Sequence, residues 1–213
     1  MPSSITASFP MNKARRPAFL AGRFFCESIA ICLRLCYNIG NYKRKYALLP
    51  KVRITGIPIR ENAMKKLKIC MISSSGGHYE QLRMLRPLGE KHDLFWVTEK
   101  TDYKDDAQYF LLPTGSNDPW FFVKMPVDVL KTLAFWVKEK PDVVITTGAL
   151  IALPACLLAK AFGKKVIYIE SFARVTDGNR TGRLIYKFAD LFIYQWEQLA
   201  SIYPNGVYGG GIY

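Results

Sequence analysis

From residue 64 onward, short apolar runs alternate with stretches of helical periodicity, and this alternation constrains the fold more than any other feature. Six apolar runs are predicted as strands: 67–72, 94–97, 109–112, 143–146, 165–170 and 191–194. Four intervening segments are predicted as helices: 79–88, 120–138, 149–162 and 181–189. Strands that alternate with helices predict right-handed crossovers and a mostly parallel sheet covered on both faces. The predicted fold class is therefore α/β, with a Rossmann-like parallel sheet.

The ends of the predicted strands carry polar or glycine-rich residues. Five such ends stand out: 73–78, 98–102, 146–148, 170–174 and 195–197. In open parallel sheets, ligands bind at the carboxyl ends of the strands. The sequence therefore predicts a binding site at this edge of the sheet.

The first strand end reads S-S-S-G-G-H and leads directly into a helical pattern. Gly76 and Gly77, preceded by Ser75, allow close backbone approach of a ligand, and free amides at the start of a helix favour an anion. His78 is a candidate catalytic base, since a neutral imidazole accepts a proton from a hydroxyl. The alternatives are an ordinary tight turn and a histidine that only caps the helix. Neither G-x-G-x-x-G nor a Walker lysine is present, so no nucleotide cofactor is predicted.

Two later strand ends supply further candidates. Thr147 and Gly148 are predicted to contact substrate, with helix capping as the alternative. Glu170 is a candidate catalytic carboxylate, because a carboxylate at the end of an apolar strand is costly unless it is paired or used. Ser171 and Arg174 are predicted to bind substrate, the arginine through a phosphate. The alternative is an internal Glu–Arg pair that only fixes the loop.

The aromatic start of the long predicted helix has two interpretations. Trp120 and Phe122 lie in the run W-F-F-V-K-M, and Pro126 is predicted to kink or bound the helix. Core packing is the favoured interpretation. The alternative is a lipid-contacting surface, because aromatic residues beside lysines suit a membrane interface.

The net charge of +13 is concentrated in the first 63 residues, which carry +9, whereas residues 64–213 carry +4. The apolar stretch 18–39 is interrupted by Arg23, Glu27 and Arg34, so a membrane span is not predicted. We predict a basic segment that lies on an anionic membrane surface, as a unit separate from the domain at 64–213. A non-functional upstream extension is the alternative. No nucleic-acid module is recognised, and nucleic acid is not predicted as a partner.

The five cysteines form no C-x-x-C pair, and no metal site is predicted. Cys70 and Cys156 lie in apolar runs and are predicted to be buried free thiols in a reducing compartment. Asp105 and Asp106 do not form a D-x-D metal motif.

Four segments, taken together, resemble one glycosyltransferase family: S-S-G-G-H at 74–78, T-T-G-A at 146–149, I-Y-I-E-S-F-A-R-V at 167–175 and Y-Q-W-E at 194–197. The family comprises the membrane subunit of the eukaryotic two-subunit transferase that adds the second N-acetylglucosamine to a dolichol-linked sugar. It also includes bacterial accessory subunits that serve exopolysaccharide and capsule synthesis. The match covers nearly all of residues 67–213.

The resemblance implies the N-terminal half of a GT-B glycosyltransferase. It implies a catalytic, donor-binding glycosyltransferase subunit as partner, a polyprenyl-linked sugar as acceptor, and a location at the cytoplasmic face of the membrane. It further implies that the 76–78 loop and the E-S-x-x-R element face the cleft, whereas Gln195 and Trp196 are structural or lie at the subunit junction. Two alternatives remain open: a non-catalytic scaffold that recruits the catalytic subunit, and a complete small nucleotide-binding enzyme.

Overall fold

The computed structural model describes residues 66–102, 106–114 and 118–212. The predicted basic segment at 1–63 and Asp105 lie outside the described residues. Seven strands form one sheet: β1 Lys68–Ile72, β2 Asp93–Glu99, β3 Tyr109–Leu111, β4 Val143–Thr146, β5 Lys165–Ile169, β6 Leu191–Tyr194 and β7 Val207–Tyr208. Four α-helices connect them: α1 Gly77–Arg83, α2 Phe121–Glu139, α3 Leu153–Ala161 and α4 Arg180–Tyr186.

All neighbouring strands are parallel, in the order β3-β2-β1-β4-β5-β6-β7. The α/β prediction is confirmed. Strand β7 was not predicted, since two residues are too few for a periodic pattern. Two predicted helices, 79–88 and 149–162, are shorter as α-helices, because 3₁₀ turns at Arg86–Glu90 and Leu150–Ala152 replace part of their predicted length. Pro126 lies inside α2, so it does not bound the helix as the sequence suggested.

Alternate residues of the central strands face opposite sides of the sheet, as the period of two requires. On one face, Cys70 and Val144 pack among side chains of α2, α3 and α4. On the other face, Met71 and Ile145 pack against α1 through residues such as Leu82. Both faces are therefore covered, which explains why these strands are continuous apolar runs.

The two described cysteines are free and buried, as predicted. They lie in the cluster between the sheet and α2, α3 and α4. Burial raises the pKa of the Cys156 thiol to about 12. Both thiols are therefore core residues rather than reactive groups.

The aromatic start of α2 does not pack in the core, so the favoured sequence interpretation was wrong there. Trp120 is 65% exposed and Phe122 is 86% exposed. The side chains that α2 buries come later and include Phe135 and Trp136. The helix thus presents apolar residues to solvent as well as to the sheet.

The chain reverses its direction of travel across the sheet between β1 and β4. Strands β1, β2 and β3 succeed one another toward one edge, and β4 then returns to the other side of β1. The loops after β1 and β4 therefore lie side by side at this point and lead into helices on opposite faces of the sheet. Such switch points create the crevice in which open α/β sheets bind ligands.

Candidate functional site

Two reciprocal hydrogen bonds join the loops at the switch point. His78 Nδ1 lies 2.9 Å from the Thr147 carbonyl oxygen, and Thr147 Oγ1 donates to the His78 carbonyl at 2.8 Å. A carbonyl oxygen only accepts, so this contact places a proton on Nδ1. The neutral ring then carries its free lone pair on Nε2, which is the atom available to take a proton.

The surroundings of His78 keep the ring neutral at physiological pH. Burial lowers the pKa of His78, and the positive charge of Arg174 lowers it further, while the hydrogen bond to Thr147 acts in the opposite direction. Arg174 is half-buried, and its guanidinium donates to Asp177 at 3.1 Å. These features make His78 a suitable acceptor for a hydroxyl proton.

The glycines of both loops hold backbone conformations that other residues rarely adopt. Gly76 has φ 75° and Gly148 has φ 119°. A Cβ on Gly148 would lie 2.8 Å from the Tyr168 hydroxyl oxygen and 3.4 Å from His78 Cε1. A Cβ on Gly77 would meet no atom within 4 Å. Glycine is thus required at position 148 by its positive φ and by the Tyr168 hydroxyl, whereas Gly77 borders open space.

The residue after Gly148 is strained. Ala149 has φ 72° and ψ 152°, a region that is almost exclusive to glycine. Strain of this kind persists only where the surrounding structure holds it, and it clusters at functional sites. Ala149 is two residues after Thr147, which forms the two hydrogen bonds that join the loops.

The Glu170 carboxylate is fully buried and has three donors. Oε1 accepts from the Ser171 amide at 3.0 Å and from Asn179 Nδ2 at 3.1 Å, and Oε2 accepts from the Tyr203 hydroxyl at 2.6 Å. Burial raises the pKa of Glu170, while the three donors and Arg174 oppose that rise. Contact with a substrate would require the carboxylate to give up a partner, so its geometry is that of an anchor.

The loop that follows Glu170 is held from outside by side chains of other elements. Gln195 Nε2 donates to the Glu170 carbonyl at 2.8 Å, and Trp196 Nε1 donates to the Phe172 carbonyl at 2.6 Å. Gln81 of α1 accepts from the Phe172 amide at 3.3 Å. The Gln195–Trp196 pair therefore has a structural role in fixing this loop.

Three alternative interpretations of the predicted site are wrong. The residue that precedes α1 as its N-cap is Gly76, and no side chain caps the helix, so His78 is not a cap. The helix α3 also lacks a side-chain cap, so Thr147 does not cap it. Arg174 forms its ion pair with Asp177 rather than with Glu170. Ser171 is buried, and its hydroxyl accepts from the Ala173 amide at 3.4 Å.

Glu99, at the end of β2, belongs to the same edge and was not singled out by the sequence analysis. Its Oε2 accepts from Ser75 Oγ at 3.5 Å, and its Oε1 accepts from the Thr114 amide at 3.2 Å. Burial raises the pKa of Glu99, and nearby Asp128 contributes to the rise. The signal that identified Glu170, a carboxylate ending an apolar strand, applies equally to Glu99.

Three buried hydroxyls have no hydrogen-bond partner within the described residues. They belong to Ser73, Thr98 and Thr114, which lie at or shortly after the carboxyl ends of β1, β2 and β3. Buried polar groups are normally paired, so such groups mark a place that water or a ligand completes. We call this edge, which runs from Glu99 through the 76–78 loop to Thr147 and the 170–174 loop, the strand-end site. Its unpaired hydroxyls suit a ligand rich in hydroxyls.

Within residues 66–102, 106–114 and 118–212, no group of His, Cys, Asp and Glu is arranged to hold a metal ion. In the same ranges, no helix has both the length and the hydropathy that a bilayer crossing requires.

A cleft of about 410 Å³ is lined by residues that include Arg86, His92 and Asp93. That cleft lies near the start of β2, away from the strand-end site.

Comparison with known proteins gives a family match. Residues 121–212 match the family model described as "Oligosaccharide biosynthesis protein Alg14 like". The human UDP-N-acetylglucosamine transferase subunit ALG14 is 30% identical over 181 residues, covering 70% of this chain and 84% of that protein. The protein of the same name from Yarrowia lipolytica is 28% identical over 172 residues, covering 67% and 80%.

Solved structures show the same fold at low sequence identity. Acinetobacter baumannii MurG aligns with a TM-score of 0.50 and 16% identity, over 63% of this chain and 43% of that one. UDP-GlcNAc 2-epimerase from Methanocaldococcus jannaschii aligns with a TM-score of 0.52 and 18% identity, over 66% and 42%. The chain thus spans about two-fifths of each of these structures. This agrees with the prediction of a Rossmann-like half.

Proposed function

Because the chain belongs to the Alg14 family, we propose that it is the acceptor-side and membrane-recruiting subunit of a two-subunit UDP-sugar glycosyltransferase. The names of the human and Yarrowia relatives point to UDP-N-acetylglucosamine as the donor. The proposed acceptor is a sugar linked to a polyprenyl diphosphate. These relatives are eukaryotic, so they give no support to the exopolysaccharide and capsule roles suggested by the sequence.

One observation carries the proposal: the paired hydrogen bonds between His78 and Thr147 at the switch point. They fix the tautomer that leaves Nε2 free to act as a base. The acceptor hydroxyl would give its proton to Nε2 while its oxygen attacks the anomeric carbon of the donor sugar. UDP would then leave with the electrons of the glycosidic bond. A positioned base of this kind contributes about 10²- to 10⁴-fold to a rate.

The other predicted residues take supporting roles in this proposal. Gly76 and Gly77 leave the backbone open to the acceptor diphosphate, and Arg174 supplies positive charge beside it. Gly148 leaves room for the Tyr168 hydroxyl next to the His78 ring. Glu170 anchors the loop that carries Ser171 and Arg174, and is a positioning residue rather than a group that contacts substrate.

The proposed division of the chain is a basic membrane-surface segment at 1–63 and the α/β domain at 64–213. We assign membrane recruitment to the first of these parts. The strong positive charge of the first part suits an anionic surface. The proposed location is the cytoplasmic face of the membrane, where the donor-binding subunit would complete the cleft.

A non-catalytic scaffold is the second candidate. The burial of Glu170 among three donors favours it, since one of the two predicted catalytic groups is closed to substrate. In that case the chain would hold the donor subunit at the membrane and contribute no reacting group.

Ligand binding to the full chain alone tests the acceptor-side assignment. We expect a short-chain polyprenyl diphosphate N-acetylglucosamine to bind, and UDP-N-acetylglucosamine not to bind, in equilibrium measurements in detergent. Loss of acceptor binding in the Arg174→Gln variant would support the site. Binding of the UDP-sugar by this chain without its partner would contradict the assignment and favour a complete nucleotide-binding enzyme. No acceptor binding would favour the scaffold.

A further inference from the structure

The solvent side of α2 is apolar along nearly its whole length. Five outward positions follow the helical repeat, and all are apolar: Phe122, Pro126, Leu130, Leu133 and Val137. We call this stripe the outer α2 face. Phe122 is 86%, Leu130 67% and Val137 68% exposed, so these side chains are not covered by the domain. Contiguous exposed apolar surface of this kind marks an interaction site.

Basic residues run along one flank of this face. Lys124, Lys131 and Lys138 are seven residues apart and so form a row parallel to the helix axis. Lys124 is paired with Asp118 at 2.5 Å. Among the residues that the structure describes, Lys131 and Lys138 have no ion pair. Between positions 122 and 137 of α2, Asp128 is the only acidic residue, and its side chain is fully buried.

A shallow apolar groove lies on the lysine side. It has a volume of about 290 Å³ and is lined by residues of β3 and α2, among them Phe110, Ala134 and Phe135, with Lys131 and Lys138 at its margin. An apolar groove with cations at its rim fits acyl chains below a layer of anionic headgroups.

We propose that the outer α2 face lies on an anionic lipid bilayer, with Lys131 and Lys138 at the headgroups. An amphipathic helix with an apolar face and flanking lysines is the arrangement of an interfacial helix. Exposed aromatic residues at its start, Trp120 and Phe122, are of the types found at membrane interfaces.

A protein partner fits this face less well. Protein interfaces carry about one hydrogen bond per 100–200 Å², and the five outward positions offer no polar side chain. The donor subunit, moreover, is expected at the carboxyl edge of the sheet, where the cleft lies, and not along the side of α2. Lys131 donates to the Phe110 carbonyl at 3.4 Å, and Lys138 lies over the Tyr109 ring at 5.6 Å, and neither is ion-paired with a carboxylate among the described residues. These charges also disfavour the basic segment 1–63 as the occupant, because like charges repel.

The orientation of α2 connects this surface to the site. Strand β3 ends at Leu111, and α2 begins at Phe121 on the same edge of the sheet as the strand-end site. The aromatic end of the outer α2 face is therefore the end nearest that edge. This inference rests on the proposed function: a membrane on this face would deliver a lipid-linked acceptor from the side of the strand-end site.

Photo-crosslinking in the full-length chain provides a local test. Benzoylphenylalanine replaces Leu130 in one variant and Leu184, an exposed leucine of α4, in a matched control. Both are irradiated on vesicles of phosphatidylcholine with a minority of phosphatidylinositol, with the donor subunit present. We expect lipid adducts at position 130 and none at 184, as detected by mass spectrometry. A peptide adduct at 130, from the donor subunit or from residues 1–63, would overturn the proposal, as would no adduct at all.

Charge removal supplies a second readout. In the Lys131→Gln, Lys138→Gln double variant, lipid adducts at position 130 should fall about thirtyfold on anionic vesicles, because two lysines near such a surface together contribute about 2 kcal/mol. An unchanged yield would contradict the headgroup contact. Transfer to a short-chain acceptor in detergent should be unaffected in every variant. If the unsubstituted chain with the donor subunit gives no transfer in detergent, that result counts against the proposed function and not against the lipid contact of the outer α2 face.

Discussion

At the strand-end site, His78 is the group on which the proposed transfer depends. Its ring is held by the Thr147 carbonyl and kept neutral by burial and by Arg174. Replacement by alanine should lower transfer by about 10²- to 10⁴-fold in the reconstituted two-subunit enzyme. Glu80→Gln, at an exposed position on the same helix, is the matched control. Full activity of His78→Ala would show that His78 is not the catalytic base and would favour the scaffold function.

The pH dependence of transfer tests the same residue independently. The active form of His78 is neutral, and its pKa is lowered below 6.5 in the folded chain. Half-maximal transfer should therefore lie below pH 6.5, and transfer should fall as pH decreases through the lowered pKa. The stability that His78 contributes follows the same direction, since the unfolded chain binds the proton more readily. If transfer is half-maximal at a pH above 6.5, and His78→Ala abolishes this pH dependence, the assignment would be contradicted.

Glu170 separates a positioning role from a catalytic one. In Glu170→Gln, one carboxylate oxygen is replaced by an NH₂ group, which cannot accept a hydrogen bond. At least one of the three groups that donate to Glu170 therefore loses its acceptor. We expect the free energy of unfolding to fall by about 1–3 kcal/mol, as urea denaturation would measure. Transfer should decrease in proportion to loop disorder and recover at lower temperature. Loss of transfer with unchanged stability would instead make Glu170 a catalytic residue.

The glycine loop makes its own prediction at the scale of the element. A Cβ at position 77 meets no atom within 4 Å, and this residue is the first of α1. Gly77→Ala should therefore leave stability unchanged or raise it by about 0.4–1 kcal/mol, as thermal unfolding would show. Transfer should nevertheless fall, because the added methyl group occupies the space assigned to the diphosphate.

Gly163→Ala is the control for this prediction, because it also adds a methyl group in open space, but at a turn remote from the site. Its positive φ of 66° predicts a loss of stability without any change in acceptor KM. If Gly77→Ala retains full transfer, the acceptor does not approach the backbone at this loop.

The elements themselves could largely be predicted from sequence, because parallel strands buried on both faces are continuous apolar runs. The orientation of α2 could not. Apolar residues occupy both its buried and its exposed sides, so no periodicity shows which side faces the sheet. The core role assumed for Trp120 and Phe122 failed for that reason.

The site was predictable only as far as backbone topology determines it. The switch point brings the loops after β1 and β4 together, and this placed His78 beside Thr147. Whether a buried carboxylate contacts substrate depends on partners that are distant in sequence. Tyr203 and Asn179 donate to Glu170, whereas Glu99 accepts from the Ser75 hydroxyl and the Thr114 amide. The two glutamates are equivalent in sequence pattern and differ only in these contacts.

For the whole molecule, the central claim is that this chain is half of an enzyme. It covers most of the length of its Alg14 relatives, and about two-fifths of the solved structures that share its fold. Under the proposed function, a second subunit would close the cleft at this edge of the sheet and hold the donor.

The most direct test is transfer of radiolabelled N-acetylglucosamine from its UDP donor to a polyprenyl diphosphate-linked acceptor. It is measured with the full chain, with the donor subunit, and with both. The account predicts product only when both are present, and little product when the chain carries His78→Ala. Transfer by the donor subunit alone, merely increased by this chain whether or not His78 is intact, would contradict it.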